Sequence, residues 1–152
     1  MSWFTRFEKQ TLSIQGLPVT FRKSLDWTAS KPVLVLLHGF PQTHACWHRI
    51  APALARTHQV VCLDLRGYGL SAAPAPSMNH ATYSKRALGE DVLAVMASLG
   101  HERFAIHDLE AVESVDDPLD VEFAPSVADH VDDARTISGP FGRAAAAALL
   151  AQ

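Results

Sequence analysis

Two short apolar runs between Val33 and Ser71 each end in a loop whose residue types could do chemistry. The first, Val33 to Leu37, runs directly into His38-Gly39-Phe40-Pro41. Gly39 lets the backbone turn sharply at a strand end. Pro41 fixes the turn and carries no N–H. The backbone N–H of Phe40, between them, is free to point into a cleft as half of an oxyanion hole, and a preorganised donor of that kind can lower a barrier by about 3 to 4 kcal/mol. The second run, Val60 to Leu63, leads into Asp64-Leu65-Arg66-Gly67-Tyr68-Gly69-Leu70-Ser71. Gly67 and Gly69 allow a tight path there, and Arg66 can anchor the loop to neighbouring carbonyls or carboxylates. His38 has two readings, a group lining an oxyanion or substrate pocket or a core histidine with its nitrogens satisfied.

What must position these loops is a βαβ unit, with its working loops at the C-terminal ends of the strands. Five consecutive aliphatic residues from Val33 suggest a strand buried on both faces, as in a parallel sheet covered by helices. Between the runs, Trp47, Ile50 and Leu54 fall on one helical stripe while His48, Arg49 and Arg56 face water, and Pro52 predicts a late start or a kink. Upstream, Phe7 to Ile14 and Val19 to Leu25 read as a hairpin of edge strands joined through Gln15-Gly16-Leu17-Pro18. Downstream, Leu88, Val92, Val95, Met96 and Leu99 repeat at three and four. They predict a second sheet-covering helix, with Thr82 as N-cap and Gly100 just past the end. Phe104-Ala105-Ile106 starts a third parallel strand.

Of the 152 residues, 48% are hydrophobic and 19% charged, which fits one soluble domain with a sizeable core. No apolar run approaches the roughly 18 to 20 residues of a membrane helix, and Met1 to Gln10 lacks the apolar centre of a signal peptide, so the expected location is the cytoplasm with no membrane partner. Cys46 and Cys62 have no pairing pattern and no histidine at metal-ligand spacing, and they read as plain buried thiols. No phosphate loop, metal cluster or basic aromatic surface is present, so no cofactor, metal or nucleic acid is expected. The net charge of −3 divides unevenly: 11 Lys and Arg against 6 Asp and Glu up to Ile106, then 2 against 10 from His107 onward, a change from +5 to −8. That shift sets the expected division of the chain, 1–106 as one unit and 107–152 as an acidic, then alanine-rich, tail.

Taken in order, the two loops, the Trp47 helix between them and the helix ending Leu99-Gly100 resemble the N-terminal half of an α/β-hydrolase, over about Phe7 to Ile106. The closer likeness is to haloacetate dehalogenases and epoxide hydrolases. The resemblance implies a partial α/β-hydrolase fold: a mostly parallel sheet with an N-terminal hairpin, flanked by helices. It implies that the third strand ends in a nucleophile elbow, a strained strand-to-helix turn. His107-Asp108 matches the centre of the dehalogenase version, Gly-His-Asp-Arg-Gly, which makes Asp108 the candidate nucleophile. Ile106 and Glu110 stand where its glycines belong, and Leu109 where an Arg would help hold a haloacetate carboxylate. Further on, Ile137-Ser138-Gly139-Pro140-Phe141 resembles the segment that supplies the general base, with Pro140 at the position of the histidine. His130 is a substitute base or, more simply, a solvated residue.

Two functions follow. One is hydrolytic cleavage of a carbon–halogen bond in a small-molecule substrate through an Asp108 ester, impaired by the missing base. The other is a non-catalytic hydrolase remnant or interaction module whose acidic segment meets a basic partner. If the sheet stops near Ile106, as in a truncated hydrolase, its open strand edge invites self-association.

Overall fold

The computed structural model describes residues 3–108. The acidic run beyond Asp108, His130, the 137–141 segment and the alanine-rich end lie outside the described residues. Five strands form one sheet: β1 (Phe7–Ile14), β2 (Leu17–Ser24), β3 (Val33–Leu37), β4 (Gln59–Leu63) and β5 (Ala105–Asp108), in the spatial order β1-β2-β4-β3-β5. β2 runs against β1 and β4, while β4, β3 and β5 are mutually parallel.

The hairpin turns on two residues, since Ile14 pairs with Leu17 across Gln15 and Gly16, both with positive φ (51° and 82°). That is the turn whose twist suits adjacent antiparallel strands, so Leu17 and Pro18 belong to β2 rather than to the connection. Nor is β2 an edge strand, because Phe21 to Lys23 pair with Val61 to Leu63 of β4.

Side-chain alternation along the central strands builds two cores. Val33, Val35, Leu37, Val61, Leu63 and Ile106 point to one face, beneath Leu88, Val92, Val95 and Met96 of the long helix. Leu34, Leu36, Val60 and Cys62 point to the other, where Phe4, Phe7, Trp47 and Ala51 cover them. Both faces of β3 and β4 are therefore dry, which is why these strands read as continuous aliphatic runs.

The segment after β3 is a 3-10 turn (His44–Arg49) followed by a short helix α1 (Ala51–Leu54). Pro52 sits in the first turn of α1, where its missing N–H is tolerated, and the chain breaks at Ile50. The expected single stripe is broken with it: Trp47 is buried, but Ile50 is 48% exposed. The long helix α2 (Lys85–Ser98) is capped by Ser84, whose hydroxyl accepts from the Ala87 N–H at 3.2 Å, and not by Thr82. Thr82 instead exchanges two hydrogen bonds with Ser77 in the loop before it. Gly100, at φ 80°, follows the helix end as expected.

Candidate active site

The parallel register places three strand ends at one height. Leu37, the last residue of β3, pairs with Leu63 at the end of β4 and with Asp108 at the end of β5. The His38–Pro41 loop, the Asp64–Ser71 loop and Asp108 are thereby gathered at the C-terminal edge of the parallel strands, where ligands of open α/β sheets bind.

His38 joins the two loops. It is 1% exposed; its Nε2 accepts the Leu65 N–H at 3.1 Å, and its Nδ1 lies 3.1 Å from the Gly39 carbonyl. With Nε2 accepting, Nδ1 carries the proton and donates, so the ring is neutral. Burial holds its pKa below the ordinary 6.5, against the smaller opposing pulls of Gly39 and Asp64. Both nitrogens are engaged by backbone, which leaves none for a substrate. His38 is therefore the satisfied core histidine of the two sequence readings, a positioning residue for the loop that bears Phe40.

Phe40 behaves differently. The residue is 67% exposed, its ring meets Tyr68 edge-on at 6.5 Å, and its N–H donates no hydrogen bond among the described residues. The Phe40–Pro41 peptide is cis.

The second loop is organised by two carboxylates. Asp64 is fully buried and accepts from the N–H and the Nδ1–H of His44 (2.8 and 2.9 Å) and from the Leu70 N–H (3.1 Å). Burial opposes its charge, but these donors outweigh it and hold its pKa below the usual carboxylate value. Gly69 is required at φ 56°: a Cβ there would lie 2.2 Å from Asp64 Oδ2. Arg66 fulfils the anchoring role expected of it, with Nε and Nη2 on the two Asp91 oxygens (2.7 and 2.6 Å) and Nη1 on the Thr82 carbonyl (2.9 Å). Asp91 pulls the Arg66 pKa further up. The sequence offered one sign of that partner: Asp91 is a carboxylate adjoining the buried stripe of α2, where an unpaired charge is costly.

Asp108 is 3% exposed and is the last residue of β5. The strand runs two residues past Ile106, so His107 and Asp108 belong to the sheet and not to an exposed loop. Asp108 is not among the non-glycine positions with positive φ in the described residues, which are Arg6, Gln15 and His80, and the residues that would complete the expected turn lie outside the described ones. Alternation separates the neighbours: His107 faces Trp47, ring centroids 5.6 Å apart, while Asp108 shares the α2 face with Ile106.

Cys62 is buried as expected and Cys46 only partly so, and burial raises the pKa of both thiols, that of Cys46 to about 11. Neither is a thiolate near neutral pH. Among the described residues no group of three or more His, Cys, Asp or Glu could hold a metal, and no helix is long and apolar enough to cross a membrane.

Comparison with known proteins places this architecture. The sequence profile of the α/β-hydrolase fold family matches residues 32–106. A fluoroacetate dehalogenase from Burkholderia sp. is 52% identical over 81 residues, covering 52% of this chain and 27% of the relative. Epoxide hydrolase 4 of Mus musculus is 38% identical over 80 residues, covering 51% and 21%. A crystal structure from Salmonella enterica, of a protein with a proposed acyltransferase function, superposes with a TM-score of 0.65 at 40% identity, covering 71% of this chain and 36% of that one. Over residues 32–106 the chain thus matches the α/β-hydrolase fold family, with similarity to dehalogenases and epoxide hydrolases. The matches span about a quarter of the length of these curated relatives.

Proposed function

We propose that the chain supplies the nucleophile and one oxyanion donor of a hydrolase that cleaves a carbon–halogen bond in a small haloacid. An Asp108 carboxylate oxygen attacks the carbon bearing the halogen; the new C–O bond forms as the carbon–halogen bond breaks, and halide leaves with the electron pair. Water then adds to the ester carbonyl of Asp108, giving up its proton to a base, and collapse of the adduct releases the hydroxy acid and restores the carboxylate. The Phe40 N–H is the donor for the oxyanion of that adduct.

The observation that carries this reading is the meeting of Asp108 with the Phe40 loop at one sheet edge, through the pairing of Leu37 with Asp108. The 52% identity to a fluoroacetate dehalogenase supports the substrate class. Pro140, at the position that the resemblance gives to the base, cannot accept a proton. The first step therefore outruns the second, and the ester accumulates.

The test is intact-protein mass spectrometry and halide measurement after incubation with chloroacetate. About one equivalent of halide per chain, a carboxymethyl ester mapped to Asp108, and loss of both in Asp108→Asn are expected. A folded sample giving neither halide nor adduct would refute the reading.

A further inference from the structure

The β1–β2 hairpin carries its charges differently on its two faces. Glu8 and Lys23 are paired across the strands, and their side chains form an ion pair at 3.2 Å. One residue along each strand, Lys9 is paired with Arg22, and there both groups are cationic. Residues directly opposed in an antiparallel pair point to one face, where like charges repel and destabilise. The neighbours fix which face this is. Arg22 also pairs with Cys62 of β4, and its guanidinium carbon lies 5.6 Å from the centre of the Phe4 ring, Cys62 and Phe4 both belonging to the core that Trp47 covers.

No carboxylate among the described residues lies within ion-pair distance of Lys9 or Arg22. The acidic residues up to Ile106 are Glu8, Asp26, Asp64, Glu90, Asp91 and Glu102. The first five are held by Lys23, Arg6, His44, Arg86 and Arg66 respectively. Glu102 lies in the connection into β5, the strand at the opposite edge of the sheet from β1. Lys9 is exposed, and the buried Nε of Arg22 has no acceptor among the described residues.

The carboxylates that could answer these cations lie further along the chain. Glu110 to Asp133 holds nine acidic residues and no Lys or Arg. Distance is no obstacle to their reaching the hairpin. Four strand spacings separate β5 from β1, roughly 19 Å at about 4.8 Å each, and an extended chain covers that in roughly six residues. The segment is several times longer.

We propose that the acidic segment 110–133 docks through its carboxylates on the Lys9–Arg22 face of the hairpin in the same chain. Arg22, held over Phe4, offers a planar fork that takes a carboxylate in a defined orientation, and Lys9 adds a point charge beside it. The acidic segment thereby has its basic partner within the molecule, whether or not Asp108 reacts.

The experiment is carbodiimide cross-linking of the full chain, in which an amine and a carboxylate in contact lose water and form an amide, followed by peptide mapping of the monomeric fraction. The Lys23–Glu8 pair is the internal reference. A Lys9 link to a carboxylate within 110–133 is expected at low salt. Relative to the reference, it should fall about fivefold or more at about 1 M NaCl, where the Debye length is about 3 Å. Arg22→Gln should weaken the Lys9 link likewise while the Lys23–Glu8 link persists, which separates lost docking from a lost hairpin. The salt comparison needs no variant, and a Lys9 link unchanged by salt would overturn the proposal. So would absence of a Lys9 link beside an intact reference, or links from the segment to Lys31 and Lys85 as frequent as those to Lys9. A Lys9 link confined to the dimeric fraction would also overturn it, making a second copy the source of the segment.

Discussion

Two aspartates stand at the same end of the sheet, Asp64 just after β4 and Asp108 at the end of β5, and both are buried. Asp64 receives three hydrogen bonds from His44 and Leu70 and is approached so closely by Gly69 that no side chain fits there. Asp108 is the last residue of β5, on the same face of the sheet as Ile106. Equal burial thus accompanies different placement. A carboxylate tied by backbone donors from two segments is a structural joint, whereas one on the last residue of a parallel strand stands at the edge where a reacting group is placed.

The largest expected effect on stability tests the joint. Asp64→Asn presents an amide N–H₂ where donors already converge, leaving buried groups unsatisfied, and should lower unfolding free energy by about 3 kcal/mol or more in urea titration. Asp108→Asn, a near-isosteric change at a strand end, should cost clearly less than Asp64→Asn while abolishing halide release and adduct formation. If the two variants lose stability equally, the contrast between joint and reacting group collapses.

Arg66→Met comes next. It strands Asp91, 4% exposed, without its bidentate partner, and about 3 kcal/mol of destabilisation is expected from the same urea titrations. Gly69→Ala should cost about 2 kcal/mol or more, because the new Cβ meets the Asp64 carboxylate at a left-handed φ. Gly16→Ala, at φ 82° with nothing within 4 Å, pays for conformation alone, about 1 kcal/mol. A similar loss at both glycines would show that the close approach to Asp64 contributes nothing.

The smallest effect is a slope with pH. The folded-state pKa values of His38, His58 and His101 lie below 6.5, chiefly through burial, so the unfolded chain binds more protons in this range. Stability is then complete above about pH 6.5 and falls as pH drops below it. Asp64, its pKa depressed, contributes stability that is present above 3.8 and is lost at lower pH as it protonates. Urea titrations from pH 7.5 to pH 5 should show the first loss, and His38→Gln should flatten part of it. An unchanged slope in His38→Gln would mean that the loop junction does not sense protons.

Much of this fold is legible in the residues. The aliphatic runs of β3 and β4, the buried stripe of α2 and the glycine-bearing loops follow from periodicity and backbone freedom, which act over a few neighbouring residues. The fate of Ile50 was less legible, because Pro52 restarts the helix and rotates that side chain into solvent. So was the cap of α2: Thr82 and Ser84 are both good cap residues, and a loop contact with Ser77 decides between them.

The sequence alone determined the strands, their burial on both faces and the two loops that end them, since hydrophobic alternation and glycine placement are local properties of the chain. Tertiary structure alone decided that His38 bridges the loops, that Arg66 finds Asp91 and that Asp64 finds His44, 25 and 20 residues away respectively. It also decided that Asp108 ends β5 on the same face of the sheet as Ile106. Those outcomes depend on which strand lies beside which and on which face each residue points from. Register and the crossover of α2 set both, and neither is written in any short stretch of residues.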